Sequence, residues 1–423
     1  MSLFLQFDPP GPTGWLYATF AVAVAVLFQF RRPLVLRNWD LLALFAFAPG
    51  FLFIFAAQWT GSTTARLTGY GWLLAVSGWW LVRCFLDGWV VRRPRVAPNL
   101  ATPALFWLAG AVLVGMSVAA FGRPPAEPAA KPAALTGVEQ TAAVMVEQAR
   151  PADTPPGAAR LWVSRGIAVA CQAAVFTLLI LICRRHFQDA ATAATAAALY
   201  VLLPVTWYQF DQWYQVWPTA FVLGAVLGYR SPPAAGVLLG LAAGTTAFPL
   251  VLVPAWVQFY HGRGSGRFTV WFAAAFAASL LLTAAALAVG GEYASGVWHT
   301  FSPTDWQPWV KPTADSVWTG GRWYYRLPVF VAYAGLVLAT FIWPKARNLG
   351  QLLAVNAAAL IGIQFWFADR GGVYVLWFAP LLILMVLRPT ATDLVPPPVN
   401  GVHLFRWLRK PKASGLPSPG VAV

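Results

Sequence analysis

The acidic side chain best placed for chemistry is Asp211, in the segment WYQFDQWYQVWP. It lies between two apolar stretches, 190–207 and 214–229, and the short connection keeps it near a membrane surface among tryptophan and tyrosine rings. A carboxylate that is partly removed from water is a stronger base and can accept a proton from a hydroxyl group. We predict that Asp211 is a catalytic base, with a solvated turn residue as the alternative.

Two further carboxylates, Glu139 and Glu147, lie in the Ala/Pro-rich segment 122–162 and are candidate catalytic partners of Asp211. Within that segment, TGVEQTAAVMVEQA predicts a short helix, because Thr136 followed three residues later by Glu139 is the pattern of a capping box. Solvated loop charges are the alternative interpretation of both glutamates.

Cations and aromatic rings supply candidate binding residues. Arg326 begins an apolar stretch and Arg370 lies in ADRGGVY, so either guanidinium could hold a phosphate at the level of the lipid headgroups. Arginines that anchor helices at the interface are the alternative. The aromatic residues of 298–325 are dense enough to suggest a surface for a sugar or a lipid headgroup, with an interfacial aromatic belt as the alternative. The other candidate substrate-binding residues are Gln209, Trp213, Asp315, Trp318 and Tyr374.

Other kinds of catalytic site lack the residues that they need. The four histidines are far apart in the sequence and the three cysteines form no CxxC pair, which argues against a metal site and a disulfide framework. The sequence contains no Walker A, GxSxG or HExxH motif. We expect no cofactor, although a divalent metal ion stays open as an unsupported alternative.

The composition indicates which elements must position these side chains. Of 423 residues, 59% are hydrophobic and 10% are charged, against about 25% charged in an ordinary soluble domain. This excludes a soluble enzyme and predicts an all-α, polytopic integral membrane protein with about 11 transmembrane helices. The candidate spans are 14–30, 41–58, 69–86, 102–121, 164–183, 190–207, 214–229, 268–289, 327–343, 349–367 and 373–387.

One apolar stretch, 234–260, does not fit a simple span. It contains Pro249 and Pro254 and has basic residues on both sides, which favours a broken or re-entrant helical hairpin that enters and leaves on one face. At its start, Gly236, Gly240 and Gly244 have the spacing typical of close helix packing.

The charge distribution predicts the orientation. The net charge is +15, but the cations occur as pairs between apolar runs, which favours membrane topology over nucleic-acid binding. With the N-terminus outside and the C-terminus inside, 19 of the 29 Lys and Arg residues face the cytoplasm. We expect membrane lipids as partners and leave the oligomeric state open.

The same layout divides the chain into regions. They are a four-span region at 1–121, an extracytoplasmic loop at 122–162, a membrane core at 163–388 with an outer Trp-rich loop at 290–326, and a basic, Pro-rich cytoplasmic tail at 389–423.

Residues 163–390 resemble the GT-C superfamily of membrane glycosyltransferases, in particular the bacterial family-87 mannosyltransferases. The likeness is carried by LYVLLPVTWYQFDQW, PPAAGVLLGLAAGTTAFPLVLVP and GGVYVLWFAPLLILMVLRP. Gln209 and Asp211 take the Q-x-N/D positions of the first motif, whereas Thr246 stands where the second has a lysine. The whole chain also resembles a group of bacterial polytopic proteins that share blocks such as RNWDLL and RRPRVAPNL.

This resemblance implies a GT-C-like fold in the bacterial inner (cytoplasmic) membrane. It also implies a glycosyltransferase that moves a sugar, mannose in that family, from a polyprenyl-phosphate donor to an extracytoplasmic acceptor. Two alternatives stay open. One is a membrane transporter or lipid flippase, which would use the broken helix. The other is a catalytically inactive GT-C-like scaffold, which Thr246 favours.

Overall fold

A computed structural model describes residues 10–89, 96–122, 133–148, 158–289, 308–309, 316–343, 347–368, 372–389 and 394–397. Within these residues the regular secondary structure is helical. The α-helices are α1 (Pro12–Leu27), α2 (Leu36–Phe45), α3 (Phe47–Thr60), α4 (Thr63–Leu86), α5 (Thr102–Gly122), α6 (Ala133–Gln148), α7 (Ala158–Ile182), α8 (Ala190–Leu202), α9 (Pro204–Tyr208), α10 (Trp213–Leu227), α11 (Pro232–Thr245), α12 (Val253–Phe259), α13 (Ser265–Val289), α14 (Arg326–Ala339), α15 (Leu349–Trp366) and α16 (Val375–Leu387). Short 3-10 helices lie at Asp87–Trp89, Phe248–Leu252 and Gly320–Tyr325, and a π-helical turn lies at Cys183–Phe187.

Five helical stretches in the described part of the chain are long and apolar enough to cross a membrane. They are Leu36–Thr60, Thr102–Gly122, Ala159–Phe187, Ser265–Ala285 and Leu349–Trp366. Five other apolar helical stretches are shorter, at 10–17 residues. The prediction of a helical membrane protein is confirmed, but these lengths do not by themselves give the predicted count of 11 spans.

The helices differ in how much of their surface the protein covers. In α15, 89% of the 18-residue apolar stretch is buried, whereas in α5 28% of the corresponding stretch is buried. Every described residue of α16 is also buried. Since a helix that is apolar on all sides must be enclosed by protein or lipid, α15 and α16 form the centre of the bundle and α5 lies at its lipid-facing edge.

The stretch 234–260 is a broken hairpin, as the sequence predicts. Helix α11 ends at Thr245, and the chain continues through an extended Thr246 into the 3-10 helix Phe248–Leu252 and then α12. The hydroxyl of Tyr260 donates to the carbonyl of Tyr229 at 2.6 Å, so the hairpin returns to the end of the bundle from which it starts.

The three glycines of α11 pack against α13. A Cβ atom at Gly236 would lie 2.5 Å from the carbonyl oxygen of Phe268, and one at Gly240 would lie 2.5 Å from that of Phe272. A Cβ atom at Gly244 would collide with the side chain of Ser279. Helices α11 and α13 are therefore parallel and in close contact. The chain between them must return to the end of the bundle at which α11 begins. The predicted close packing is confirmed.

Two helix starts differ from the sequence prediction. Helix α6 begins at Ala133, so Thr136 lies inside its first turn and is not the N-cap residue. Helix α7 begins at Ala158, inside the predicted loop 122–162 and before the predicted span 164–183. Polar residues such as Arg160 extend α7 beyond its apolar run. Because the prediction of spans relies on hydrophobicity, it does not include these residues.

The contacts define two ends of the bundle. At the first, which we call the Asp211 end, Tyr208 donates to the carbonyl of Pro12 at 2.7 Å and joins the residues after α9 to the start of α1. At the second, which we call the Arg388 end, the backbone N–H of Leu349 donates to the carbonyl of Leu394 at 2.8 Å.

A buried ion cluster joins α2, α4 and the residue after α16 at the Arg388 end. Arg83 donates to both carboxylate oxygens of Asp40, at 3.0 and 3.1 Å, and to Asp87 at 3.1 Å. Arg388 pairs with the other oxygen of Asp87, and its guanidinium occupies the space that a side chain at Gly350 would need. Two acids and two arginines therefore balance inside the protein, which buried charges require.

Candidate functional site

Asp211 lies in a hydrogen-bonded turn between α9 and α10. The extended backbone of Leu203 followed by Pro204 separates α8 from α9, because a residue before proline disfavours the helical conformation. Beyond α9, the N–H of Gln209 donates to Val205 and that of Gln212 donates to Gln209, both at 3.1 Å. The turn leaves the side chain of Asp211 half-buried at the edge of the bundle.

Aromatic rings from three helices surround the residues before this turn. Trp207 stacks on Trp15 of α1 with 4.8 Å between ring centroids, and Tyr208 packs against Phe55 of α3 at 5.4 Å. Burial raises the pKa of Tyr208, so its phenol stays protonated and donates to Pro12. The predicted aromatic environment near Asp211 is present.

Trp213 and Gln209 are enclosed by protein. The indole of Trp213 is fully buried and donates to the hydroxyl of Ser164 on α7 at 3.2 Å. Gln209 is 9% exposed. In this structure Trp213 ties the start of α10 to α7, and the substrate-binding role of both residues stays a prediction.

Of the two candidate glutamates, Glu139 is linked to this turn through α7. It is buried, and Arg160 donates to it at 3.4 Å. Arg160 precedes Ser164 by one turn of α7, which is about 6 Å along the helix. Glu147 is exposed and lies eight residues further along α6, about 12 Å away. The two glutamates therefore do not meet at one point.

Arg326 is buried at the first residue of α14 and is 1% exposed. Its Nε donates to the carbonyl of Trp366 at 2.8 Å, and the guanidinium carbon lies 5.5 Å from the ring centroids of Trp366 and Phe367. The carbonyls in the last turn of a helix lack intrahelical partners and carry partial negative charge. Arg326 therefore caps the end of α15.

Residues 316–318 bind the same helix end. Ser316 donates through its hydroxyl to the carbonyl of Ala368 at 2.9 Å, and Trp318 donates through its indole to that of Phe365 at 3.2 Å. The N–H of Val317 also donates to Ala368, at 3.2 Å. This places Trp318, partly exposed, beside the element that Arg326 caps.

Stacked rings connect the end of α15 to α10 and to the break in the hairpin. Tyr374 stacks on Phe367 at 5.2 Å and lies 4.5 Å from Trp377. Trp377 donates to Gln215 of α10 at 2.9 Å and stacks on Phe248 at 3.9 Å. We call Phe248, Phe367, Tyr374 and Trp377 the aromatic layer.

The aromatic layer therefore lies between Arg326 and α10, the helix that starts just after Asp211. Among the predicted binding residues, the structure brings Arg326, Trp318 and Tyr374 together around the end of α15. Asp315 and Arg370 lie outside the described residues.

Sequence reasoning missed Trp377, Gln215 and Phe248. Of these three, only Gln215 could have been noticed in the sequence, because a side-chain amide in the apolar helix α10 needs a hydrogen-bond partner. That partner is 162 residues away, and no local pattern identifies it.

No protein-family model, curated protein or solved structure matches this chain. Within the described residues, no group of three or more His, Cys, Asp or Glu side chains could hold a metal ion.

Proposed function

We propose that this protein is a membrane glycosyltransferase that transfers mannose from a polyprenyl-phosphate donor to an extracytoplasmic acceptor. The observation that carries the proposal is the arrangement at the Asp211 end. A buried cation, Arg326, adjoins the aromatic layer, and the layer leads through Gln215 to the helix that follows Asp211. A donor of this type needs a phosphate contact, a face for the sugar and a base within one site.

The proposed reaction is a substitution at the anomeric carbon. Asp211 accepts the proton of the acceptor hydroxyl as the hydroxyl oxygen bonds to that carbon. The bond from the carbon to the phosphate oxygen breaks, and polyprenyl phosphate leaves with the electron pair. Arg326 and Arg370 stabilise the negative charge of the leaving group.

The other proposed binding residues contact the sugar. Trp318, which is partly exposed, presents aromatic surface to it, and Tyr374 belongs to the buried aromatic layer beside it. Gln209 and Asp315 bind its hydroxyl groups. Glu139, which is linked to the turn through Arg160 of α7, is the proposed second carboxylate in preference to the exposed Glu147. The proposal requires no cofactor.

The proposed topology has 11 spans and the hairpin, with a GT-C-like fold in a bacterial inner membrane. The Asp211 end faces the outside, where a lipid-linked sugar donor can enter from the outer leaflet. The Arg388 end faces the cytoplasm, in accord with the excess of Lys and Arg in the segments assigned to it.

The donor contact is tested by native mass spectrometry of the purified protein with polyprenyl phosphate. We expect Arg326→Gln to reduce retention of this lipid about tenfold, which corresponds to about 1.4 kcal/mol, and Arg326→Lys to keep more of it. Arg322→Gln is the matched control, because Arg322 is exposed and lies one turn before Arg326. Equal retention by wild type, Arg326→Gln and Arg322→Gln would contradict the assigned phosphate contact.

The base is tested by the release of polyprenyl phosphate from polyprenyl-phosphate-mannose in liposomes supplied with a membrane extract as acceptor. Asp211→Asn keeps the shape of the side chain but cannot take the proton, so we expect the rate to fall at least about 100-fold. Asp189→Asn removes a carboxylate at the start of α8, at the opposite end of the bundle, and should leave the rate unchanged. Donor consumption by Asp211→Asn at the wild-type rate would rule out the proposed base.

A lipid flippase is the second candidate, and the broken hairpin favours it. Transporters use interrupted helices near the bilayer centre, and the break at Thr246 is followed by Phe248, which stacks on Trp377. A flippase would move labelled polyprenyl-phosphate-mannose across the liposome bilayer without consuming it. Movement without consumption would replace the transferase by this candidate.

A further inference from the structure

Two polar side chains lie buried in the apolar helices beside the turn that carries Asp211. Gln172 of α7 is 0% exposed and Tyr200 of α8 is 2% exposed. The proposed reaction uses neither of them. Because a polar group that is removed from water needs a hydrogen-bond partner, each of these side chains must make a specific contact inside the bundle.

The two side chains bind each other and then the turn. The hydroxyl of Tyr200 donates to Oε1 of Gln172. This contact fixes the orientation of the amide, so its Nε2 donates to the carbonyl of Phe210 at 3.5 Å. Phe210 is buried and immediately precedes Asp211. Two hydrogen bonds in series therefore connect α8, through α7, to the backbone that carries Asp211.

Helix α7 holds the chain on both sides of Asp211. Gln172 binds the carbonyl of Phe210 before it, and Ser164 accepts from the indole of Trp213 after it, at 3.2 Å. The two contacts are eight residues apart on α7, which is about 12 Å along the helix. Since both belong to one helix, α7 determines where the turn lies.

The break between α8 and α9 gives the turn a second support. Pro204 has no N–H to donate to the carbonyl of Tyr200, four residues earlier. The hydroxyl of Thr206 donates to that carbonyl instead, at 2.7 Å. Tyr200 therefore holds the segment before Asp211 through its backbone and, by way of Gln172, through its side chain.

We propose that Gln172 and Tyr200 are positioning residues for Asp211. They act through the turn and hold the carboxylate where it can take the proton of the acceptor hydroxyl. A general base must lie within hydrogen-bond reach of that proton, and a small displacement of a catalytic group slows the reaction. This inference rests on the proposed transferase function. A purely structural pair would stabilise the bundle without a particular effect on the turn.

The test compares Tyr200→Phe with the double variant Gln172→Met/Tyr200→Phe. Tyr200→Phe removes the donor to Gln172, so the amide can rotate and release the carbonyl of Phe210. The double variant replaces both polar partners by apolar side chains of similar size, which is nearly neutral for stability, yet it still removes the donor to that carbonyl. Tyr260→Phe is the matched control, because Tyr260 is a buried phenol that donates to a backbone carbonyl at the opposite end of the bundle.

The first measurement is amide hydrogen exchange of residues 204–215, which needs no enzymatic activity. In wild type, the N–H groups of Gln209 and Gln212 donate within the turn. We expect exchange in this segment to be about tenfold faster in Tyr200→Phe and in the double variant, and unchanged in Tyr260→Phe. Unchanged exchange in all three variants would overturn the proposal. Equal acceleration along the whole chain would also overturn it, because the pair would then stabilise the bundle in general.

The second measurement is the rate of polyprenyl phosphate release in wild type and in the Asp211→Asn background. Because the pair acts through Asp211, Tyr200→Phe should lower the wild-type rate about tenfold and have no further effect in Asp211→Asn. An equal fall in both backgrounds would show a structural effect and overturn the proposal. If wild type transfers no sugar, the proposed function fails, and the exchange experiment alone decides whether the pair holds the turn.

Discussion

Arg326 shows how one buried cation can be accommodated at the scale of a residue. Its guanidinium binds a carbonyl at the negative end of α15 and lies over two aromatic rings, so three favourable contacts offset its removal from water. A ligand phosphate at this point would gain from a charge that is already oriented. The same contacts also stabilise the end of α15, so Arg326→Gln removes both the charge and a structural contact. Arg326→Lys keeps the charge, and comparing the two variants separates these effects.

The buried ion cluster gives a prediction for Asp87. Asp87→Asn removes one of two negative charges and leaves Arg388 without its counter-charge in the interior. Breaking such a pair costs about 3–5 kcal/mol, so we expect a marked fall in the thermal unfolding temperature of the purified protein in detergent.

The control for Asp87 is Asp189→Asn. Asp189 caps α8 by accepting from the N–H of Ala191 at 3.0 Å, and asparagine caps helices as well as aspartate does. The double variant Asp87→Asn/Arg388→Gln should recover part of the loss, because the unpaired cation is gone. Equal unfolding temperatures for Asp87→Asn and Asp189→Asn would show that the buried charge is not essential.

The sequence could place single residues near helix ends but could not pair them. Asp211 was located correctly, because two apolar runs and a short connection determine where it lies. Arg326 was placed at the start of a helix, yet its partner, Trp366, is 40 residues away. In the ion cluster, Arg388 and its partner Asp87 are 301 residues apart, and each alone resembles an ordinary charge at the end of a span.

The pair of α11 and α13 shows what small residues do at the scale of elements. Without side chains at Gly236 and Gly240, the backbones of the two helices approach closely enough for van der Waals contact along their length. The two helices run in the same direction, so the chain between them must turn back to the end of the bundle at which α11 begins. The spacing of glycines and the position of prolines made this part of the fold predictable, because both act locally on the backbone.

The close packing leads to a prediction for Gly240. A methyl group there would lie 2.5 Å from the carbonyl oxygen of Phe272 and would push α13 away. We expect Gly240→Ala to destabilise the protein by about 1–3 kcal/mol, as overpacking does, with a lower unfolding temperature in detergent. Gly110→Ala on α5 meets nothing within 4 Å, and it should be neutral or slightly stabilising because alanine favours helices. A neutral Gly240→Ala would contradict the contact.

At the scale of the whole molecule, the composition predicts apolar helices, and the connections between the helices determine the two ends of the bundle. The long apolar runs predicted a helical membrane protein, because neither a soluble protein nor a fibrous repeat could bury so much apolar surface. The position of α15 inside α5 was not predictable, because the buried helix α15 is less apolar in sequence than α5 at the edge. What distinguishes them is how many neighbours each one has, and that depends on the complete arrangement of helices.

The topology of the whole molecule yields a final prediction. If the hairpin returns as its contacts indicate, His261 and Arg230 lie on one side of the membrane and Gly61, between α3 and α4, lies on the other. We expect His261→Cys and Arg230→Cys to react with an impermeant maleimide only from the cytoplasmic side, and Gly61→Cys only from outside. All three native cysteines are buried, so they should give little background. Labelling of His261→Cys from the side that labels Gly61→Cys would show that 234–260 crosses the membrane, and every helix after it would then have the opposite orientation.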